Sequence, residues 1–226
     1  MSRPEILVGE DGRPRCGWIG TDLDYRRYHD EEWGTPLHGD RPLYEKICLE
    51  GFQAGLSWIT ILRRRPGFRE AFDGFDIETV AAYNEGDVER LMADDRIIRN
   101  RAKVLAAIGN ARLTVDLVRS TPGALDELIW SFVPSGPRTR PRTWADIPAI
   151  TPESEALSAA LRKLGYRFVG PTTMYALMQS AGLVDDHLAE CWRARWSNRA
   201  EVISDLRRRP GYGGASADAR PGRRNT

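Results

Sequence analysis

Ile98, Ala102, Leu105, Gly109, Leu113 and Leu117 recur at intervals of three and four residues. That spacing predicts one long amphipathic helix over 98–117, and no segment offers the alternation of two that marks a half-buried strand. The punctuation agrees. Thr121-Pro122 and Thr151-Pro152 each put a capping hydroxyl before a proline whose fixed φ suits a first helical turn. Asp40 and Asp76 are expected to cap two further helices, Gly34 and Gly182 to end two others, and Pro66-Gly67 to break one. The chain is therefore expected to be all-α, many short helices in one compact body.

At 226 residues there is room for one domain, or one with a subdomain. Residues 1–14 read as a flexible lead-in, 15–196 as the folded domain, and 197–226, rich in Arg, Gly, Ala and Pro, as a disordered tail. No apolar run approaches the roughly 20 residues of a membrane span. The start, Met1-Ser2-Arg3-Pro4-Glu5, has no apolar signal core, so a cytoplasmic protein without membrane attachment is expected. The net charge of +1 gives no global basic field, yet leaves room for one basic face toward nucleic acid. Three cysteines support neither a disulfide framework nor, by themselves, an iron–sulfur cluster.

Three constellations carry chemistry. The first is Ile47-Cys48-Leu49-Glu50-Gly51-Phe52, which sets one carboxylate in a run that reads as buried helix. A buried, unpaired Glu costs several kcal/mol or takes up a proton. Either Glu50 pairs with an arginine or caps the next turn, or a ligand supplies the partner. Trp18, Tyr25, Tyr28, Trp33, Phe52 and Trp58 cluster in the same part of the chain. They make either an aromatic core or a pocket for a flat, cationic guest. The second is Cys16, His29, His187 and Cys191, two thiols and two imidazoles, enough for a closed tetrahedral zinc site or else stray core residues. Such a site would clip the two ends of the domain together. The third is a pair of helices over 157–182, joined by a turn bounded by Gly165 and Gly170, with Arg162, Lys163 and Arg167 nearby. Free N–H groups beside a helix N-terminus can hold a phosphate, although helical hairpins are common.

Longer stretches carry a resemblance. They are Arg15-Cys16-Gly17-Trp18, Tyr28-His29-Asp30-Glu31-Glu32-Trp33-Gly34, the run from Ile47 to Thr60, Ile108-Gly109-Asn110-Ala111, Trp130-Ser131-Phe132-Val133, Phe168-Val169-Gly170-Pro171-Thr172 and Gly182-Leu183-Val184-Asp185-Asp186-His187. Together they resemble the constitutive bacterial 3-methyladenine DNA glycosylases, type I, of the helix-hairpin-helix superfamily, over roughly residues 15–192. The resemblance implies one structural zinc on Cys16, His29, His187 and Cys191. It implies Glu50 and Tyr28 as hydrogen-bonding partners of an extruded base, Glu50 also as the catalytic residue, and Trp58 as the stacking platform. Trp18 and Trp33 become further pocket walls. Gly55 and Leu56 match the segment facing the gap left in the duplex, and Gly165, Arg167 and Gly170 the phosphate-gripping hairpin.

The activity so implied is base excision from alkylated double-stranded DNA by a monomer, releasing 3-methyladenine and leaving an abasic site. The helix from Pro171 to Ala181 contains no lysine, where lyase members of the superfamily keep a Schiff-base Lys, so strand cleavage is not expected. Asp185 and Asp186 fall where related glycosylases keep a catalytic Asp, or else serve structure beside His187. A damage-binding module without chemistry, and a zinc hydrolase of small substrates, are the competing readings. Release of free base separates the first, and a closed metal set argues against the second.

Overall fold

The computed structural model describes residues 4–136 and 138–194. The expected tail lies outside them, as do the last two residues of the domain predicted over 15–196. No helix among the described residues is long and apolar enough to cross a membrane.

Part of the predicted lead-in lies in a strand hairpin, so the described chain is not strictly all-α. Strands β1 (Ile6–Val8) and β2 (Pro14–Cys16) form an antiparallel hairpin with Ile6 opposite Cys16. Three-residue strands are too short to show an alternating pattern. Ion pairing holds them instead: Arg15, 1% exposed, pairs with Asp11 at 2.7 Å and with Asp30 at 2.8 Å.

Helix α1 (Leu23–Glu31) starts at Asp22, whose carboxylate accepts from the N–H groups of Asp24 and Tyr25. Then come α2 (Asp40–Gln53), α3 (Trp58–Ala71), α4 (Ile77–Ala81), α5 (Glu85–Ala93), α6 (Arg101–Val118), α7 (Ala124–Trp130), α8 (Pro152–Lys163) and α9 (Pro171–Ser180). Helix α2 is the axis. Every residue from Lys46 to Phe52 is buried, because α3, α6, α7 and α9 pack around it. A polar side chain on that stretch has no solvent to turn to.

Three local expectations are corrected. First, α6 buries Val104, Ala107, Ile108 and Ala111 rather than the stripe through Ala102, Leu105 and Gly109; Leu105 is 42% exposed. Both stripes have helical spacing and both contain small residues; the one that is buried is decided by the packing of α4 and α2 against α6. Second, α3 continues through Pro66-Gly67, drawn on by the burial of Phe68 and Ala71. A Cβ on Gly67 would stand 2.7 Å from that of Arg96, so this glycine serves close packing and not helix termination. Third, α7 starts after Gly123 and not at Thr121-Pro122.

Its cap comes from elsewhere. The Asp40 carboxylate, expected to cap its own helix, accepts from the N–H groups of Gly123, Leu125 and Asp126 at 2.7, 3.0 and 3.1 Å. Charged acceptors at a helix N-terminus satisfy orphan donors and meet the helix dipole favourably. Asp40→Ala is therefore expected to destabilise the fold by about 2 kcal/mol. A urea midpoint within error of the native protein would show that the cap carries no weight.

Thr151 caps α8 with Pro152 at its first position, and Pro171 opens α9, both as predicted. The turn between them uses two left-handed residues, Gly165 at φ +97° and Phe168 at φ +57°. Asn110 of α6 clamps it: Nδ2 donates to the Arg167 carbonyl at 3.1 Å, and the Arg167 N–H donates back to Oδ1 at 2.9 Å. The Ser158 hydroxyl adds a 2.6 Å bond to the Val169 carbonyl.

Candidate active site

The buried run of α2 ends beside α9, and Glu50 sits where the two helices meet a cavity of about 320 Å³. Glu50 is 3% exposed, and the Ser180 hydroxyl donates to its Oε1 at 2.9 Å. No arginine pairs with it among the described residues. Burial raises its carboxyl above the usual range, while the nearby Lys46 ammonium and the Ser180 bond pull it down. The Tyr28 phenol also lines the cavity, and burial together with the Glu50 charge keeps it protonated. Beside Glu50 the cavity thus offers a hydroxyl able to donate as well as a carboxylate able to accept.

Aromatic rings make the walls. Trp18 and Trp33 meet edge to face at 5.4 Å, and Tyr28 and Trp58 tilt against each other at 5.4 Å. Tyr25 holds the start of α3 in place by accepting from the Ile59 N–H at 3.0 Å. Trp58 keeps its indole Nε1 buried without a hydrogen-bond partner. A flat guest fills such a slot, and one carrying positive charge is favoured by the ring faces and the carboxylate alike. Phe52, grouped with these rings from sequence, is core instead, packed 4.7 Å from Phe68.

Sequence reasoning missed Gln53, Trp144, Ile147, Ala176, Gln179 and Ser180, which complete the lining. Ser180 lies 130 residues from Glu50, and nothing local marks it. Trp144 carried a usable signal, as a tryptophan among prolines and arginines in the sequence, and a short helical turn spans Trp144–Asp146.

Next to the aromatic wall, Cys16, His29 and Cys191 bring their ligand atoms within 4.8 Å of one another, all buried. His187 stands just outside this triplet, its ring 4.9 Å from that of His29. Asp30 and Asp185 hold the Nδ1 atoms of His29 and His187 at 2.8 Å, which turns each Nε2 inward. Nε2 of His187 is buried and has no partner. Two thiols and two inward nitrogens, one of them orphaned, fit a tetrahedral metal ion. Trp18 and Trp33 lie against the histidine rings, so the cluster also braces the pocket wall. Asp186 is absorbed by structure, accepting from Tyr175 at 2.6 Å, Gln179 at 2.9 Å and Arg138 at 2.9 Å.

Two segments expected to meet DNA do not line the cavity. Gly55, at φ +83°, and Leu56, 42% exposed, form the turn between α2 and α3. Lys103 fixes this turn by donating to the carbonyls of Phe52 and Ala54 at 2.9 and 2.6 Å. Gly165 and Arg167 are exposed and Gly170 is half-buried in the turn clamped by Asn110.

Known proteins bear on this geometry. DNA-3-methyladenine glycosylase 1 of Escherichia coli K12 is 49% identical over 178 residues, 78% of this chain and 95% of that protein. The crystal structure of a 3-methyladenine DNA glycosylase I superposes with a TM-score of 0.77 at 45% identity, covering 80% of this chain and all of the other. The corresponding Staphylococcus aureus enzyme, solved to explain 3-methyladenine recognition, gives 0.76 at 32% identity, covering 81% and 98%. The pattern of the methyladenine glycosylases runs through residues 18–194, from the first pocket tryptophan past the last cysteine of the cluster, and by that span the chain belongs to the methyladenine glycosylase family.

Proposed function

We propose that this chain hydrolyses the N-glycosidic bond of 3-methyladenine in alkylated double-stranded DNA, in base-excision repair. The observation that carries the reading is a carboxylate without an ion pair at the edge of an aromatic cavity. N3-alkylated adenine is cationic, so its glycosidic bond is already weak and the enzyme's main task is recognition. Extruding the nucleotide costs a few kcal/mol of stacking, which Trp58 returns as a platform, with Trp18 and Trp33 as walls. Tyr28 and Glu50 hydrogen-bond the base edge, and the Glu50 charge favours the cation over neutral adenine. Water adds at the sugar carbon, the bonding pair leaves with the base, and the water's second proton goes to solvent. The products are neutral 3-methyladenine and an abasic site.

Gly55 and Leu56 face the gap in the duplex, and the clamped turn with Gly165, Arg167 and Gly170 holds backbone phosphate in helix-hairpin-helix fashion. Cys16, His29, His187 and Cys191 hold one zinc ion, whose closed coordination supplies stability rather than chemistry. The protein acts as a cytoplasmic monomer. Chromatography of bases released from methylated DNA tests the reading directly: free 3-methyladenine is the expected product, and DNA binding without any released base would refute it. No lysine lies on α9. Borohydride is therefore expected to trap no covalent adduct with DNA, and an adduct on a denaturing gel would overturn the monofunctional assignment.

A further inference from the structure

Lys46 is the polar residue of α2 that neither the fold nor the reaction has used. It is 7% exposed. Its Nζ lies 5.6 Å from the Tyr28 ring centroid and 5.3 Å from that of Trp58. Those two rings line the base cavity, whereas Lys46 lines a separate chamber of about 260 Å³ together with Glu32, Glu45, Arg65 and Arg69. The ammonium therefore stands behind the rings, on their side away from the base. Its neighbours there are already engaged. Arg65 donates to Glu32 at 2.7 Å and Arg69 to Glu45 at 2.7 Å. Glu50 is one helical turn further along the same helix, on the same face.

We propose that Lys46 is a positioning residue for base recognition, a counter-cation that serves Glu50 from behind the aromatic wall without touching the base. The proposal rests on the assignment of Glu50 to the base edge. A carboxylate as buried as Glu50 tends toward its neutral form, which would forfeit selection for a cationic purine. Lys46 is the cation opposing that drift, and Glu50 is the first of the charges that hold Lys46 protonated against its own burial. Glu31 of α1, Glu32 just after it, Glu45 of α2, and Arg65 and Arg69 of α3 share the chamber with Lys46, while Tyr28 and Ser180 face Glu50 from α1 and α9. With Glu50 kept ionised, the cationic base meets a carboxylate, and it loses its own charge on cleavage, so the neutral product is held less firmly than the substrate.

The test is the pH profile of 3-methyladenine release from methylated DNA for the native protein, Lys46→Met, Lys46→Arg and Glu50→Gln. Removing the cation leaves the Glu50 carboxylate harder to form, so the acid limb of kcat/KM is expected to move up by about one pH unit in Lys46→Met. Activity should fall roughly tenfold on that limb and recover at higher pH, and Lys46→Arg should keep the native limb. If the Met variant melts early, Lys46→Gln is read in its place. A uniform loss at every pH, with the limb unmoved, would overturn the proposal and make Lys46 structural. If Glu50→Gln excises at the native rate, the base-edge assignment itself fails, whatever the Lys46 variants do.

Discussion

Glu50→Gln is expected to lower excision of 3-methyladenine by about 100-fold or more while leaving affinity for undamaged DNA within about twofold. Glutamine keeps the shape and can still accept from the Ser180 hydroxyl. It removes only the charge. Two unit charges about 4 Å apart interact by about 4 kcal/mol at an effective dielectric of about 20. Each ~1.4 kcal/mol is a factor of ten in rate, so even a partial loss of this attraction gives the expected defect. On the proposed reading the duplex backbone is gripped by the turn with Gly165, Arg167 and Gly170, away from Glu50, so non-specific binding should survive. Stability should change little. Burial raises the Glu50 carboxyl above its unfolded value, so ionising it in the fold is unfavourable. That penalty is absent below the ordinary carboxylate range and complete once the pH has passed the folded-state value. Glutamine removes that penalty and also the charge that helps hold the buried Lys46 protonated, so at neutral pH the Gln variant should melt close to the native protein. Equal losses of excision and DNA binding, or a sharp fall in melting temperature, would make Glu50 a structural residue.

The residues that sequence alone exposes are those whose chemistry contradicts their surroundings. A carboxylate between Leu49 and Gly51 in an apolar run is conspicuous because its environment can be read from its neighbours. Cysteine and histidine are scarce here, so Cys16, His29, His187 and Cys191 can be grouped before any distance is known. Helix positions follow from caps and prolines, as at Thr151-Pro152 and Pro171. What stays hidden depends on long-range contact. The buried face of α6 cannot be chosen from spacing when two stripes both have it. Asp40 looks like a local cap and serves α7, more than eighty residues away. Ser180 and Lys46 are ordinary residues until α9 and the ring pair come to lie beside them. The hairpin at 6–16 is held by Arg15, whose partners Asp11 and Asp30 lie on opposite sides of it in the chain.

Cys191→Ser is expected to reduce bound zinc from one equivalent to near zero and to lower the melting temperature by roughly 10 °C, since each kcal/mol is worth about 2–4 °C at this size. The physical reason is closure. β2 supplies Cys16, α1 supplies His29, and the segment after α9 supplies His187 and Cys191, so one ion would tie both ends of the folded chain. Serine matches the thiol in size and forms no comparable bond to zinc, which prefers thiolate and imidazole in closed sites. The loss should stay below the full binding energy of a zinc finger peptide, because α2 and its neighbours form a core without the metal. Cys48 is the control. It is buried in that core, with its thiol pushed up to about 12 by burial. Cys48→Ala should keep one zinc per chain and lose only the stability of a small cavity, about 1 kcal/mol. Excision should separate the two variants further. Trp18 and Trp33 rest on the histidine rings, so releasing the ion loosens the wall of the base cavity, whereas Cys48 leaves that wall untouched. Full zinc occupancy in Cys191→Ser, measured by elemental analysis of the purified protein, would remove the clip and with it this account of how the pocket is braced.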